Sequence, residues 1–200
     1  MGTFWDERFS SKDYAYGEEP HEFLVAQKKY FPKSANCLCL ADGEGRNGVW
    51  LAEQGLGVVS VDFSDVGLCK AQSLALRRGV KLKTLKADLL AWDWPIEEFD
   101  MAVAVFIHFA PRDRIWVHSQ MRRALRPGGL AIVVAFTPEQ LKFRTGGPPQ
   151  QELLYTSDML RRDFDGMELL YLEEVTKALY EGQYHQGTAS LVRMIARVKP

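Results

Sequence analysis

Residues 36–48 read "NCLCLADGEGRNG". A short apolar run stops at Asp42, and Gly43, Gly45 and Gly48 follow at GxGxxG spacing. An apolar run of this length, closed by glycines, reads as a buried strand entering a tight turn. The stretch "RNGVWLAEQG" after it reads as a helix ending at Gly55. Glycine permits the turn and lets a ligand approach the bare backbone, and the helix start behind it presents unpaired N–H groups. The three glycines do not by themselves choose the ligand.

The same alternation runs outward from this turn. "GVVSVDF" is a second strand. "SDVGLCKAQSLALRRG" is a helix with Ser64 as its cap, two arginines in its last turn and Gly79 beyond its end. "VKLKTLKAD", "FDMAVAVFI" and "LAIVVAF" are further strands, with the helix "RDRIWVHSQMRRAL" between the last two, closed by "RPGG". Strands alternating with helices predict an α/β fold with a parallel sheet covered on both faces. After Phe136 the rhythm changes. "TPEQLKFRTGGPPQQELLY" reads as a long loop, "SDMLRRDF" as a short helix capped by Ser157, and "MELLYLEEVTKAL" with "ASLVRMIARV" as an antiparallel hairpin joined by "YEGQYHQGT". Ahead of the first strand, "PHEFLVAQKKYF" reads as an amphipathic helix on one sheet face. The expected whole is one domain over residues 1–200. An N-terminal segment with its helix occupies 1–35, the core around the glycine turn 36–137, and a loop with the terminal hairpin 138–200; the roles of lid and substrate loop for the outer two come from the resemblance described below.

The composition is ordinary for a soluble globular protein and suits a small or neutral partner. Of 200 residues, 46% are hydrophobic, and 25 basic side chains balance 26 acidic ones for a formal net charge of −1. That balance carries no footprint of nucleic acid or of an anionic membrane. No run approaches the roughly 20 apolar residues of a membrane span, and the first residues lack a signal-peptide pattern, so a cytoplasmic protein is expected. Three cysteines, Cys37, Cys39 and Cys69, make no disulfide framework. Cys37 and Cys39 share one face of the first strand, where core packing is expected rather than metal binding.

Asp62 ends the second strand about 20 residues after Gly43, where an acid can accept hydrogen bonds from both ribose hydroxyls. This suits NAD and S-adenosylmethionine equally. Asp42 and Glu44 separate them. Carboxylates beside a pyrophosphate repel it, whereas S-adenosylmethionine carries a sulfonium and an ammonium. Asp88, just after the third strand, can accept from an adenine amine.

"CLCLADGEGRNGVWLAEQG", "VSVDFS", "ADLLAW", "FDMAVAVFIHF" and "LRPGGLAIVVAF", in this order and spacing, resemble the class I S-adenosylmethionine-dependent methyltransferases. The resemblance covers roughly residues 36 to 137. "WDERF", "YAYGEEPHEFL", "TGGP" and "YHQG" are similar to small bacterial enzymes of the tellurite-resistance and thiopurine type. It implies a Rossmann-like, seven-stranded, mostly parallel sheet with a C-terminal antiparallel hairpin. It implies methyl transfer to a small-molecule acceptor, a thiol or a chalcogen or metalloid species; a monomer and a homodimer are both open. The first motif departs from the usual pattern: Cys39 stands where an acid is common and Ala41 where a glycine is, with Asp42 or Glu44 in compensation. Two other readings stay open, a non-catalytic S-adenosylmethionine-binding module and an NAD(P)-dependent oxidoreductase.

The resemblance implies that Ala41, Asp42, Gly43, Glu44 and Gly45 line the methionine part of the cofactor. Asp62 would hold the ribose, Phe63 the adenine face, Asp88 and Leu89 the adenine edge, and Phe106 would lie beneath the methionine. Trp5 and Tyr16, in an aromatic segment read as irregular, are lid candidates. His108, at the end of the fourth strand, is the candidate general base. Arg114, Tyr184 and His185 are candidates for substrate contact. Arg46 opens a helix where a cation opposes the dipole; pairing with Glu44, pairing with an acidic ligand group and a solvated side chain are the open readings. His21 and His118 are read as structural residues within helices.

Overall fold

The computed structural model describes residues 2–199. One seven-stranded sheet organises them, in the order β3-β2-β1-β4-β5-β7-β6. β1 (Asn36–Leu40), β2 (Gly57–Asp62), β3 (Lys83–Lys86), β4 (Phe99–Val105) and β5 (Leu125–Phe136) run parallel. β7 (His185–Arg197) pairs antiparallel with β5, and β6 (Glu168–Glu181) pairs antiparallel with β7. The expected Rossmann-like sheet and terminal hairpin are both present. The strand order reverses between β1 and β4, and the crevice beyond the carboxyl ends of these two strands is the place where open α/β sheets bind ligands.

Both faces are buried. One carries Leu38, Leu40, Ala102, Ala104, Ala131 and Val133 under α5 (Pro111–Ala124) and α6 (Ser157–Asp163). The other carries Cys37, Cys39, Met101, Val103, Ile132 and Val134 with Phe23 and Leu24 of α2 (Glu22–Ala26) and Leu51 of α3 (Arg46–Glu53). The alternation along β1 and β4 thus feeds two cores, and each substantially apolar strand is buried on both sides. The thiols of Cys37 and Cys39 are core groups whose sulfurs lie 4.0 Å apart. α4 (Asp65–Arg77) packs beside α3, capped by Ser64, whose hydroxyl accepts from the Gly67 N–H at 3.0 Å.

Several local expectations are corrected. The first residues are not irregular: α1 spans Gly2–Arg8 and carries Trp5 and Arg8. The helix expected over "PHEFLVAQKKYF" is broken into α2 and a 3₁₀ turn at Lys28–Tyr30. His21 lies before α2, not within it, and caps it by accepting from the Phe23 N–H. The long loop after β5 contains 3₁₀ turns at Pro138–Lys142 and Gln151–Leu153. α6 is capped by Thr156 rather than Ser157. The hairpin strands run further than the apolar pattern, leaving only residues 182–184 as the turn, so His185 belongs to a strand.

Candidate active site at the strand ends

Each strand contributes its last residue or the next one. Ala41 follows β1 with φ +43°, and Phe106 follows β4 with φ +59°, so two non-glycine residues hold left-handed backbone at the switch point. Such conformations cost of order 1–3 kcal/mol and persist only where the surroundings enforce them. Phe106 is fixed by its N–H to the Val134 carbonyl at 2.8 Å and by stacking on Phe136, with centroids 4.5 Å apart.

Asp62 ends β2 and is 6% exposed. Its carboxylate accepts from the Gly43 N–H at 2.7 Å and from the Ser64 N–H at 2.8 Å, which ties the glycine turn to the start of α4. Phe63 follows it, half-buried. The turn itself is shaped by packing. A Cβ on Gly45 would stand 2.5 Å from the Ala71 Cβ of α4, and one on Gly43 would stand 3.0 Å from the Phe9 ring. Asp42 points inward, accepting from the Ser60 hydroxyl at 2.8 Å and the Gly48 N–H at 3.3 Å. Burial pushes its carboxyl up to about 7, against those hydrogen bonds and with help from the Asp62 charge. Glu44 is buried, ion-paired with Lys70, and accepts from the Ala15 N–H at 2.7 Å. Asp88 is exposed and spends Oδ1 on the Leu90 N–H of its own turn. Leu89 is buried, its carbonyl accepting from the Trp94 indole at 2.9 Å.

An N-terminal strap crosses this region. Asp6 accepts from the Ser64 hydroxyl at 2.5 Å at the head of α4. Trp5 stacks on Phe9, whose ring covers Gly43. Lys70 donates to the carbonyls of Ser11 and Asp13, both at 2.8 Å, and so gathers the strap onto α4. The hairpin tip meets the strap from the other side. The Arg8 guanidinium lies 3.9 Å from the Tyr184 ring centre, and the Gln183 N–H donates to the Ala15 carbonyl at 2.9 Å. Gly182 has φ +59°, and a methyl group there would overlap the Ala15 carbonyl and stand 2.5 Å from the Gly17 nitrogen. Gly182→Ala is therefore expected to cost about 1–3 kcal/mol and to release the strap. Limited proteolysis should cut between residues 9 and 16 at least about tenfold faster, in keeping with local opening; an unchanged rate would mean that the strap is held without the tip.

Inside the strap the site is aromatic. His185 lies against Phe106 and Tyr16 at centroid distances of 4.6 Å each, and against Phe136 at 5.3 Å. The Arg8 guanidinium donates to the Tyr16 hydroxyl at 3.3 Å. Glu181, which the sequence reading missed, is the charged centre. It accepts from Arg46 at 2.9 Å and from His185 Nδ1 at 3.1 Å, and His21 Nε2 stands 3.9 Å away. Burial opposes its charge, but His185, Arg46 and His21 outweigh that and hold its carboxyl down at about 2. Arg46 thus pairs with Glu181, not with Glu44.

Two expected roles are corrected. His108 is not a free base: its Nδ1 bonds the Leu153 carbonyl at 2.7 Å and its Nε2 accepts from the Phe136 N–H at 3.3 Å. Burial depresses its titration to about 4, so it is a neutral bracket between β5 and the loop after it. Arg114 is not available to a substrate: it is buried, and its Nε donates to Asp163 Oδ2 at 2.7 Å. His118, also in α5, bonds the same carboxylate at 2.8 Å, in keeping with its structural reading.

Residues 37–129 match the family model described as a methyltransferase domain. Over that stretch, a little under half of the chain, this protein is similar to methyltransferase domains. Demethylmenaquinone methyltransferase of Thermus thermophilus is 34% identical over 105 residues, covering 50% of this chain and 47% of that protein. An uncharacterized protein of Mycobacterium tuberculosis is 31% identical over 103 residues, which cover 51% of this chain and 37% of its own length. The chain therefore spans about half or less of the curated relatives it matches. Among solved structures, a protein studied for conversion of a disulfide bond into a thioacetal group during echinomycin biosynthesis superposes with a TM-score of 0.79 at 19% identity, over 99% of this chain and 89% of that one. TehB from Haemophilus influenzae superposes with a TM-score of 0.73 at 17% identity, over 99% of this chain and 67% of that one. At these identities the superpositions speak for the fold alone. No helix among the described residues is long and apolar enough to cross a membrane.

Proposed function

We propose that the chain transfers a methyl group from S-adenosylmethionine to a small acceptor and releases S-adenosylhomocysteine. The observation that carries this reading is the charge of the glycine turn. Asp42, Glu44 and Asp62 crowd it with carboxylates, and burial has already pushed Asp42 up to about 7. A pyrophosphate brought there adds negative charge to an unfavourable place, whereas a ligand bearing a sulfonium and an ammonium relieves it. The aromatic wall of Phe106, Phe136 and Tyr16 suits the same cation.

In this reading Asp62 accepts from the ribose hydroxyls while its bonds to Gly43 and Ser64 hold it in register. Phe63 covers the adenine face, and Asp88 with the Leu89 N–H meets its edge. The backbone from Ala41 to Gly45 lines the methionine portion, with Phe106 beneath it, and Trp5 and Tyr16 belong to the cover. The bound cofactor supplies an electrophilic methyl group. What the chain supplies is alignment and exclusion of water, which can account for much of the rate of an in-line displacement. The closed strap and hairpin tip favour a small acceptor, with Tyr184 and His185 on its side of the site.

Titration calorimetry with S-adenosylhomocysteine, NAD and NADP tests the assignment. Binding of S-adenosylhomocysteine alone is expected. Asp62→Asn, which keeps an acceptor oxygen for the turn, should weaken it by at least roughly 100-fold, since both ribose bonds are compromised and a buried polar pair is left mismatched. Binding of NAD or NADP instead would overturn the reading. Binding without turnover on any acceptor would favour a sensor module.

A further inference from the structure

Four histidines lie near the carboxyl ends of β4, β5 and the hairpin, and their bonds sort them. His108 has both ring nitrogens on backbone groups. His118 is tied to Asp163 behind Tyr155. His21 accepts from the Phe23 N–H through Nδ1, so its Nε2 carries the proton and offers no lone pair. His185 differs. Its Nδ1 faces Glu181 Oε2 at 3.1 Å, and an ionised carboxylate requires that nitrogen to be the donor. The lone pair of the neutral ring is then on Nε2, where no hydrogen-bond partner stands among the described residues.

We propose that His185, oriented by Glu181, takes up the acceptor's proton at Nε2, and that the acceptor is a thiol. This rests on the methyl-transfer reading above. A neutral imidazole held by a buried carboxylate is the arrangement of a general base. Its surroundings fit a soft, weakly hydrated nucleophile: Phe106, Phe136 and Tyr16 wall the ring, and sulfur packs favourably against aromatic edges. The loop after β5 closes over the same edge. A Cβ on Gly146 would stand 2.7 Å from His185 Cδ2, and one on Gly147 would stand 2.8 Å from the Phe136 ring, so the two glycines let this loop seal the acceptor end.

The proton balance is simple. The acceptor S–H bond breaks and its proton goes to His185 Nε2. The sulfur electron pair forms the new S–CH₃ bond, while the methyl donor's C–S⁺ bond breaks and its electron pair stays on the departing thioether. The imidazolium then returns its proton to water. No oxidant or reductant enters. A thiol, with an ordinary pKa near 8.5, lies within reach of an imidazole, whereas an alcohol does not.

The groups facing His185 are Glu181 from β6, Arg46 from α3, Arg8 from α1, Tyr16 from the strap, and His21 and His108 from their loops. Burial lowers the titration of His185 first. Glu181 then raises it, and Arg46 and Arg8 lower it again, for a net depression below the ordinary histidine value. It is therefore neutral at neutral pH, with the Nε2 lone pair free.

Two measurements test the proposal. The first needs no cofactor: nitrogen-15 NMR of the full chain should find His185 protonated on Nδ1 at pH 7, with that preference weakened in Glu181→Gln. A dominant Nε2–H tautomer in the wild type would overturn the assignment. The second follows S-adenosylhomocysteine release with two thiols, 2-mercaptoethanol and the already ionised 4-nitrothiophenol. His185→Gln should lose about 10²–10⁴-fold with the first and less than about tenfold with the second, with S-adenosylhomocysteine affinity retained. An equal loss on both would make His185 a packing residue. If the wild type binds S-adenosylhomocysteine yet methylates neither thiol, the thiol assignment fails while the methyl-transfer reading stands; if it binds none, that reading itself fails.

Discussion

Asp163→Ala is expected to lower the unfolding free energy by about 3–5 kcal/mol, the range for removing one partner of a buried ion pair. The melting temperature should fall by roughly 10 °C, given about 2–4 °C per kcal/mol in a domain of this size. Asp163 joins two helices: its carboxylate binds Arg114 and His118 of α5 from the last residue of α6. All three side chains are at most 6% exposed. Burial raises the Asp163 carboxyl, but the bonds from His118 and Arg114 outweigh it and leave it below the usual carboxylate range. Removing it strands the Arg114 guanidinium over the Tyr155 ring, 5.6 Å from its centre. The damage is directed at the site, because the Tyr155 hydroxyl accepts from the Phe109 N–H at 2.8 Å and its ring packs on His108. Denaturant unfolding measures the cost. A double replacement of Arg114 by Met and Asp163 by Leu should recover most of it, since an apolar pair of similar volume leaves no buried charge. A loss under about 1 kcal/mol in Asp163→Ala would mean that the pair is hydrated and contributes little.

The sheet was legible because it rests on local signals. The apolar run before Asp42, the glycines, the Ser64 cap and the "RPGG" turn each act over a few residues, and their order specifies a doubly wound sheet. The partners of charged residues were not legible, because they are made across the chain. Arg46 meets Glu181 over 135 positions, and Arg114 meets Asp163 over 49. His108 looked like a base because it ends a strand at the right place. Only the fold brings the Leu153 carbonyl and the Phe136 N–H to its two nitrogens. Glu181 left no motif beyond its spacing to His185, and the apolar pattern of "MELLYLEEVTKAL" stops short of both. The strand continues past it because β6 is an edge whose outward positions are polar, as expected of an exposed edge. The α1 helix was missed for a related reason. It is short, and it is held by Asp6 on Ser64, Arg8 on Tyr184 and the stacking of Trp5 on Phe9, not by helical periodicity.

Acidification is the second large effect. His21 and His108 are buried and neutral, and burial depresses them to about 3 and about 4 respectively. The unfolded chain takes up their protons below about pH 6.5, whereas the folded chain refuses them until far lower. Their contribution is therefore full above pH 6.5 and is lost as pH falls toward 4 and below. Between pH 6.5 and 5 each removes about 2 kcal/mol, at roughly 1.4 kcal/mol per pH unit. His118 and His185 are depressed as well and act in the same direction. Asp42 opposes them. Its carboxyl is raised to about 7, so the folded state holds a proton that the unfolded chain has released, and acidification through pH 7 stabilises it. Over the same interval it returns about 2 kcal/mol. The wild type should thus lose only about 2 kcal/mol by pH 5 from these three groups together. Asp42→Asn removes the counterweight while preserving an acceptor for the Gly48 N–H or the Ser60 hydroxyl. It should be more stable than the wild type above pH 7 and fall about twice as steeply below pH 6.5. Urea midpoints at pH 7.5, 6 and 5 for both chains decide this. Parallel curves would mean that Asp42 is ionised in the fold at neutral pH, and the crowding of negative charge at the glycine turn would then have to be relieved by another group.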